Sequence, residues 1–232
     1  MTIRPKIVAV VQARMSSQRL PGKVLKPLAG RPMLSWLIDR LQHCDALDGI
    51  CIATSQECSD DPVAAFCKER NVHCWRGELD NVALRVLKAA EAMQADAMVR
   101  ISGDSPLIDV AVVSEVVALF RQERPDLASN VVVRSFPKGQ SVEVLDVESF
   151  RAALPSFDRA GDNEHVTTYF YRNAERFRIA SLQRVADRSK IQLSVDTAED
   201  FARAERLFGR FTRPHWTYGV DEIVGMLESE AV

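Results

Sequence analysis

The stretch KIVAVVQARMSSQRLPGK, residues 6–23, joins a continuous apolar run to a polar loop. The apolar run over 6–13 predicts a strand that is buried on both faces of a parallel sheet. Three cations follow it in the loop, Arg14, Arg19 and Lys23, and α/β proteins concentrate their binding groups in loops at the carboxyl ends of such strands. The loop alone is equally consistent with an anion-binding site and with an ordinary solvated surface.

Helix-like and strand-like patterns alternate beyond this loop. The apolar residues follow a helical period in four segments, 32–42, 61–70, 81–94 and 109–122, and they form short strand-like runs between these, at 49–54, 71–77 and 96–104. Such alternation with short connections is typical of a doubly wound, mostly parallel sheet that is covered by helices on both faces. We therefore expect a three-layer α/β/α fold.

The pattern becomes less regular after residue 126. Strand-like runs lie at 127–133, 140–146, 177–183 and 191–195, and helix-like segments lie at 163–173, 197–211 and 219–229. No repeat or low-complexity linker separates them from the first half. We expect a single α/β domain over residues 1–232, with a small excursion of mixed strands at about 127–185.

The composition is that of an ordinary globular protein. Of 232 residues, 47% are hydrophobic and 27% are charged, and the formal net charge is −2. A charge so close to zero argues against a nucleic-acid-binding or membrane-surface protein, and no apolar run approaches the roughly 18 residues that a membrane span needs. Any anion site must therefore be local.

Five cysteines recur at intervals of seven to nine residues, from Cys44 to Cys74. The spacing suggests a metal site, but the chain has no C-x-x-C pair, and Cys51 and Cys74 lie in strand-like runs, where cysteine behaves as a small hydrophobe. We therefore do not expect a cysteine metal centre. An odd number of cysteines without a secretory signal predicts a reducing, cytoplasmic environment.

Two aspartates that are distant in sequence from the cationic loop each follow a predicted strand. Asp104 lies in VRISGDSPLID (99–109) and Asp196 lies in LSVDTAEDF (193–201). Each could be a turn former or a helix cap. If both faced the loop, however, their carboxylates would hold a hard cation such as Mg²⁺ beside the phosphates of a nucleotide.

The order of the residues resembles a known family. The run R-M-S-S-x-R-L-P-G-K, followed by x-L-x-x-L-x-G-x-P-M-L, is similar to the signature of the cytidylyltransferases that make CMP-sugars, such as the CMP-KDO and CMP-sialic acid synthetases. Within them it looks most like the spore coat polysaccharide protein F group. G-D-x-P-L-I at 103–108, V-D-T-x-E-D at 195–200, P-x-G-x-x-V-E-V at 137–144 and E-H-V-T at 164–167 extend the resemblance over about 6–228.

This resemblance implies a GT-A-type, Rossmann-like nucleotidyltransferase fold and a set of site residues. It implies catalytic roles for Arg14, Lys23 and Asp104, and Mg²⁺ ligation by Asp104 and Asp196. The residues implied to contact the nucleotide are Gln12, Ala13, Arg14, Ser16, Ser17, Arg19, Lys23, Arg100, Ser102 and Gly103. Those implied to contact the acceptor are Asn130, Glu143, Glu164 and His165.

The implied reaction transfers CMP from CTP to a sugar, a 2-keto-3-deoxy sugar acid for these relatives, and releases pyrophosphate during synthesis of a bacterial surface polysaccharide. An acceptor that is a sugar phosphate or a polyol phosphate is an alternative, as is a nucleotide-binding scaffold that has lost activity. A glycosyltransferase would need a D-x-D pair, which SGDSPLID lacks. The resemblance also implies a homodimer formed through about 127–185.

The chain departs from the family pattern at three positions. Leu84 stands in Val82-Ala83-Leu84-Arg85 where the pattern has the Asp of V-L-D-R, Ser141 replaces the Asp of G-L-D-V-E-V, and Gln192 replaces an Arg ahead of the V-D-T motif. All three positions belong to the segments expected to contact the base and the acceptor. The triphosphate loop and both aspartates match the family pattern. The identity of the acceptor is therefore the least determined part of the prediction.

Overall fold

The computed structural model of the chain describes residues 4–159 and 161–229. Its strands are β1 (Ile7–Gln12), β2 (Pro27–Leu28), β3 (Arg31–Pro32), β4 (Gly49–Ser55), β5 (His73–Gly77), β6 (Ala97–Ser102), β7 (Leu127–Ser129), β8 (Glu143–Asp146) and β9 (Ile179–Ser181). Its α-helices are α1 (Met33–Gln42), α2 (Asp61–Glu69), α3 (Val82–Ala92), α4 (Val110–Glu123), α5 (Val147–Ala153), α6 (Thr168–Arg172), α7 (Ala198–Gly209) and α8 (Val220–Glu228).

Seven strands form one mixed sheet in the order β5-β4-β1-β6-β8-β7-β9. The first four are mutually parallel, and β8 lies antiparallel to both of its neighbours, β6 and β7. β9 pairs in parallel with β7. The mixed strands after residue 126 therefore extend the main sheet, and β2 and β3 form a separate two-stranded hairpin.

The sheet separates two hydrophobic cores, which makes the fold a three-layer α/β/α sandwich. Along β1, Ile7, Ala9 and Val11 pack with α1, α2, α4, α7 and α8, whereas Val8 and Val10 pack with α3, α5 and α6. Alternate side chains of a strand point to opposite faces of its sheet, so an uninterrupted apolar run is needed where both faces are covered. The predicted mostly parallel α/β/α architecture is confirmed.

The prediction of a strand over 191–195 is wrong. Lys138 donates its backbone N–H to Ile191 O at 2.9 Å and accepts from Leu193 N at 2.8 Å, but Val195 N then donates to Asp104 O at 2.8 Å. Because the segment changes partners after one bridge, no ladder forms. Asp196 therefore follows a crossing segment and not a strand.

Other strands and helices in the second half of the chain are shorter than predicted. β7 ends at Ser129 because residues 131–134 form a turn, and the helix predicted over 163–173 begins only at Thr168. His165 thus lies in the turn before α6 and not in its first turn. Within the described ranges, none of the helices has the length and apolarity required to cross a membrane.

Candidate functional site

The carboxyl ends of β1 and β6 border a cleft of about 650 Å³. Its lining includes most of the residues that the sequence singled out: Gln12, Ala13, Arg14, Ser16, Ser17, Arg19, Lys23, Arg100, Ser102, Gly103, Asp104, Glu164, His165 and Asp196. Parallel neighbouring strands end at the same edge of a sheet, which explains why residues so far apart in sequence meet here.

Gly103 lets the ends of β1 and β6 approach each other. Its N–H donates to Gln12 O at 2.9 Å, and a Cβ on this residue would lie 2.9 Å from Gln12 O and 3.0 Å from Ala13 Cβ. No side chain fits at that separation without displacing the backbone. The glycine therefore closes the floor of the cleft and places Asp104 directly beyond β6.

Lys23 lies at the centre of the site and is only 8% exposed. Its Nζ donates to Asp104 Oδ2 at 2.9 Å, to Val195 O at 2.7 Å and to Asp196 Oδ1 at 3.1 Å. All three donors of a lysine ammonium are thus satisfied. The ammonium holds together two carboxylates that come from opposite halves of the chain.

The loop after β1 is held in shape by Asp60, a fully buried residue directly before α2 that the sequence analysis did not single out. Asp60 Oδ1 accepts from Met15 N at 2.7 Å, and Oδ2 accepts from Ser55 N at 3.0 Å and from the Ser55 hydroxyl. Burial would raise the Asp60 pKa, but these hydrogen bonds outweigh burial and hold the pKa below its usual value. A buried, ionised carboxylate therefore anchors the start of the cationic loop.

Two arginines complete the cationic wall. Arg19 Nη2 lies 3.0 Å from Asp196 Oδ1, and Arg14 Nη2 lies 3.4 Å from Glu164 Oε1. The Arg19 side chain is 65% exposed, so its guanidinium is accessible from the cleft. An exposed ion pair contributes little to stability and is readily exchanged for another anion. Both arginines can therefore turn to the oxygens of a bound anion.

Arg100, which is partly exposed, forms an ion pair with the buried Glu143 in the wall of the site. The Arg100 Nη1 donates to Glu143 Oε2, and its Nε donates to Gln12 Oε1 at 3.0 Å. The other Glu143 oxygen accepts from Thr167 Oγ1 at 2.7 Å and from the Tyr171 hydroxyl at 2.6 Å. Burial, and then the charge of Glu143, raise the Tyr171 pKa, so this phenol stays a donor. The network fixes the orientation of Arg100.

A second, smaller cleft of about 230 Å³ adjoins the first. Arg100, Ser102 and Asp104 line both cavities. Glu143 and Ser141 also line the second cleft, as do the two cations Arg134 and Lys138, which sequence reasoning did not single out. Lys138 is the middle residue of the quoted P-x-G motif and Arg134 lies three residues before it, but single exposed cations are usually solvated.

Asn130 does not lie in either cleft, which corrects its predicted contact with the acceptor. The residue is 1% exposed. Its Nδ2 donates to Gln140 O at 2.7 Å and its Oδ1 accepts from Val142 N at 2.9 Å. The side-chain amide is thus used to shape the loop between β7 and β8.

Arg85 is a buried residue of the first cleft whose place the sequence did not reveal. It donates through Nη1 to Glu78 O and, at 3.0 Å, to Leu79 O, while its Nε has no partner within the described chain. Burial, followed by the charge of Arg14, lowers its pKa. Leu84, at the position of the missing aspartate, instead donates its N–H to the Asn81 side chain at 3.0 Å.

The donors of the site fit a divalent metal ion that is shared with a bound phosphate. Among residues 4–159 and 161–229, no group of three or more His, Cys, Asp or Glu side chains could hold a metal by itself. Asp104 and Asp196 nevertheless converge on one cation, Lys23 Nζ. Mg²⁺ is usually bound through one or two carboxylates together with substrate phosphates and water, so two aspartates suffice.

Gln192, the third departure from the family pattern, supports one of these carboxylates. Its Nε2 donates to Ser194 Oγ at 2.7 Å and to Ser194 O at 3.1 Å, and it lies 3.4 Å from Asp196 Oδ2. The substitution therefore retains a donor near Asp196 but removes the positive charge that an arginine would bring.

The chain is similar to known proteins over most of its length. The profile of a family described as Cytidylyltransferase matches residues 8–221. The spore coat polysaccharide biosynthesis protein SpsF of Bacillus subtilis (strain 168) is 29% identical, over 87% of this chain and 86% of that protein. The 3-deoxy-manno-octulosonate cytidylyltransferase of Acidobacterium capsulatum is 27% identical, over 87% of this chain and 96% of its own length.

A solved structure shares the whole fold. It is described as a cytidylyltransferase from Leptospira borgpetersenii serovar Hardjo-bovis (strain JB197), and it superposes with a TM-score of 0.91 at 27% identity. The similarity covers 98% of this chain and 95% of that one. The mixed seven-stranded sheet and its helices therefore follow a known arrangement from end to end.

Proposed function

This chain belongs to the cytidylyltransferase family, and from that premise we propose that it transfers CMP from CTP to a sugar-type acceptor, with Mg²⁺, and releases pyrophosphate. A single observation carries the proposal: Lys23 joins Asp104 and Asp196 in a cleft that the cationic loop also lines. Anion-binding and metal-binding groups thus share one cavity, as a metal–triphosphate complex requires.

Arg14 and Arg19 would bind the leaving group, and Lys23 would add its charge from its position between the two aspartates. Displacement at the α-phosphorus leaves charge on pyrophosphate, and preorganised cations stabilise that charge in the transition state. Arg14 and Arg19 offer planar guanidinium forks that match phosphate oxygens, whereas Lys23 acts as a compact point charge. Ser16 and Ser17 line the same wall of the cleft and offer hydroxyl donors.

Asp104 and Asp196 would hold the metal ion. Cytidylyltransferases generally use a divalent metal, which when bound neutralises phosphate charge and orients the reacting groups. Asp104 is supported by the Ser105 hydroxyl at 3.3 Å, and Asp196 by its own backbone N–H, which donates to Asp200 Oδ2 at 3.1 Å. The first bond orients the Asp104 carboxylate, and the second fixes the backbone that carries Asp196.

The acceptor would enter from the second cleft, on the other side of Asp104. Its class in this proposal is a 2-keto-3-deoxy sugar acid, and the pathway is synthesis of a bacterial surface polysaccharide. The similarity to a 3-deoxy-manno-octulosonate cytidylyltransferase and to a spore coat polysaccharide biosynthesis protein supports both. The cytoplasmic location and the homodimer stay predictions from the sequence.

Pyrophosphate release tests the proposed function. The wild-type protein is incubated with Mg²⁺, with a sugar-acid or polyol-phosphate acceptor, and with CTP, UTP, ATP or GTP in turn. We expect release with CTP in preference to the other nucleotides, and a loss of about 100-fold in Lys23→Met, comparable to removing one transition-state charge contact. Lys68→Met, at an exposed lysine of α2, is the control and should be unaffected. Equal turnover by Lys23→Met and wild type would refute the assignment.

A further inference from the structure

We propose that the second cleft recognises an anionic group of the acceptor, a carboxylate or a phosphate, through Arg134 and Lys138, so that neutral sugars are not substrates. This inference rests on the proposed function, because it treats the second cleft as the acceptor side of that reaction. It identifies two residues as the determinants of specificity and defines the chemical class of the molecule that they select.

The charges of the second cleft are unbalanced. Arg100 is paired with Glu143, and Asp104 is paired with Lys23. For the Arg134 and Lys138 side chains, by contrast, no ion pair or hydrogen bond is formed within residues 4–159 and 161–229. Ser141, at the position where the family pattern has an aspartate, contributes a hydroxyl and no charge. The cavity therefore presents two uncompensated positive charges.

The loop that carries these cations is held by buried amides. Asn130 binds the backbone of Gln140 and Val142 from one side. From the other side, the Gln140 side chain donates to Leu107 O at 2.7 Å and accepts from Asp109 N at 2.8 Å. Because both ends are fixed by fully buried hydrogen bonds, the two cations sit on a preorganised frame, and ordering the loop costs little when an anion binds.

Lys138 is also fixed to the segment that positions Asp196. Its backbone binds Ile191 and Leu193, and its O accepts from Ser194 N at 3.1 Å. Gly139 adopts φ +93°, and a Cβ there would lie 2.5 Å from Ser194 N. The close approach keeps Lys138 beside the proposed metal carboxylates without a contact between their side chains.

The two clefts share a wall, so an acceptor anion at Arg134 and Lys138 is compatible with attack on a bound nucleotide. Arg100, Ser102 and Asp104 face both cavities. A molecule anchored by its anionic end in the small cavity would direct its hydroxyl groups towards this wall. Uncharged sugars of the same size would lack the anchor, which makes charge the selected property.

Acceptor binding to the CTP-saturated protein tests the inference. Isothermal titration is carried out with excess EDTA, so that turnover is suppressed, using 3-deoxy-manno-octulosonate as the carboxylate probe, glycerol 3-phosphate as the phosphate probe, and glucose as the neutral probe. We expect at least one anionic probe to bind and glucose not to bind. The double variant Arg134→Gln/Lys138→Gln should weaken that binding at least about tenfold, because two charge-assisted contacts are lost.

Lys68→Gln is the control, since it removes the charge of an exposed lysine that lines neither cleft, and its Kd for the anionic probe should equal that of wild type. CTP affinity and the thermal midpoint should be retained in all variants. Failure of both anionic probes to bind, or equal binding by the double variant, overturns the inference. If wild-type protein fails to bind CTP in a parallel titration with Mg²⁺ and no acceptor, the proposed function itself is refuted. The probe that binds tells a sugar acid from a phosphorylated acceptor.

Discussion

The ammonium of Lys23 lies 2.9 Å from Asp104 and 3.1 Å from Asp196. One compact cation thus bridges two carboxylates, with the Val195 carbonyl as its third acceptor at 2.7 Å. A metal ion that used the same carboxylates would have to share them with Lys23. This relationship makes the position and the size of the cation at residue 23 matter as much as its charge.

The Lys23→Arg variant should therefore lose activity, although the substitution keeps the positive charge. The surroundings of residue 23 are tightly packed, with the lysine side chain only 10% exposed, and a planar guanidinium cannot direct three donors into the space that one ammonium fills. We expect a rate of pyrophosphate release within about tenfold of that of Lys23→Met. Wild-type activity in Lys23→Arg would show that only charge is required.

Asp60→Asn should weaken CTP binding although Asp60 is not in the cleft. The amide would point an N–H at Met15 N–H or at the Ser55 donors, and a buried unpaired donor costs about 1–3 kcal/mol of unfolding free energy. We expect that loss in urea denaturation, together with a higher Kd for CTP because the cationic loop loses its anchor. Asp61→Asn is the control, since the Asp61 side chain is 60% exposed. Equal effects of the two changes would contradict the anchoring role.

Much of this arrangement was predictable from the sequence, because it depends on residues that are close to one another along the chain. The continuous apolar run of β1 and the helical periods around it indicate a parallel sheet without knowledge of any contact. The cationic loop and Asp104 then follow from the rule that parallel strands end at one edge. These features depend on neighbours along the chain.

The features that were mispredicted depend on partners distant in sequence. The segment 191–195 has a strand-like composition, but it passes from Lys138 to Asp104 and forms no ladder. Asp60 was not singled out at all, because its partners Met15 and Ser55 are not evident from its place before α2. Asn130 looked like a contact for the acceptor and instead shapes the loop at Gln140. Tertiary hydrogen bonds decided each case.

Gly139→Ala should destabilise the protein more than Gly30→Ala does. Both glycines have positive φ, +93° and +80°, but a Cβ at Gly139 would lie 2.5 Å from Ser194 N whereas a Cβ at Gly30 would have no atom within 4 Å. A left-handed conformation alone costs roughly 1–2 kcal/mol, so we expect Gly139→Ala to cost at least about 2 kcal/mol more than Gly30→Ala. Chemical denaturation measures both. Equal losses would contradict the close approach of the two segments.

His215 should make the stability of the fold depend on pH. The residue is 5% exposed, and burial, then the charge of Arg40, lower its pKa from 6.5 to about 4. Because the unfolded chain takes up the proton first, stability should fall as pH decreases from about 6.5 to 4, by on the order of 3 kcal/mol. Urea denaturation across this range should show a shallower pH dependence in His215→Phe. The exposed His73→Phe should retain the wild-type slope, and identical slopes in all three proteins would contradict the assignment.

The affinity for CTP with and without Mg²⁺, in wild type, Asp104→Asn and Asp196→Asn, tests the central claim most directly. Two carboxylates that bind a metal together with phosphates make nucleotide affinity depend on the metal. We expect Mg²⁺ to tighten CTP binding to wild type at least about tenfold and to have little effect on either variant. The same Mg²⁺ enhancement in the variants as in wild type would contradict a metal–nucleotide site at Asp104 and Asp196.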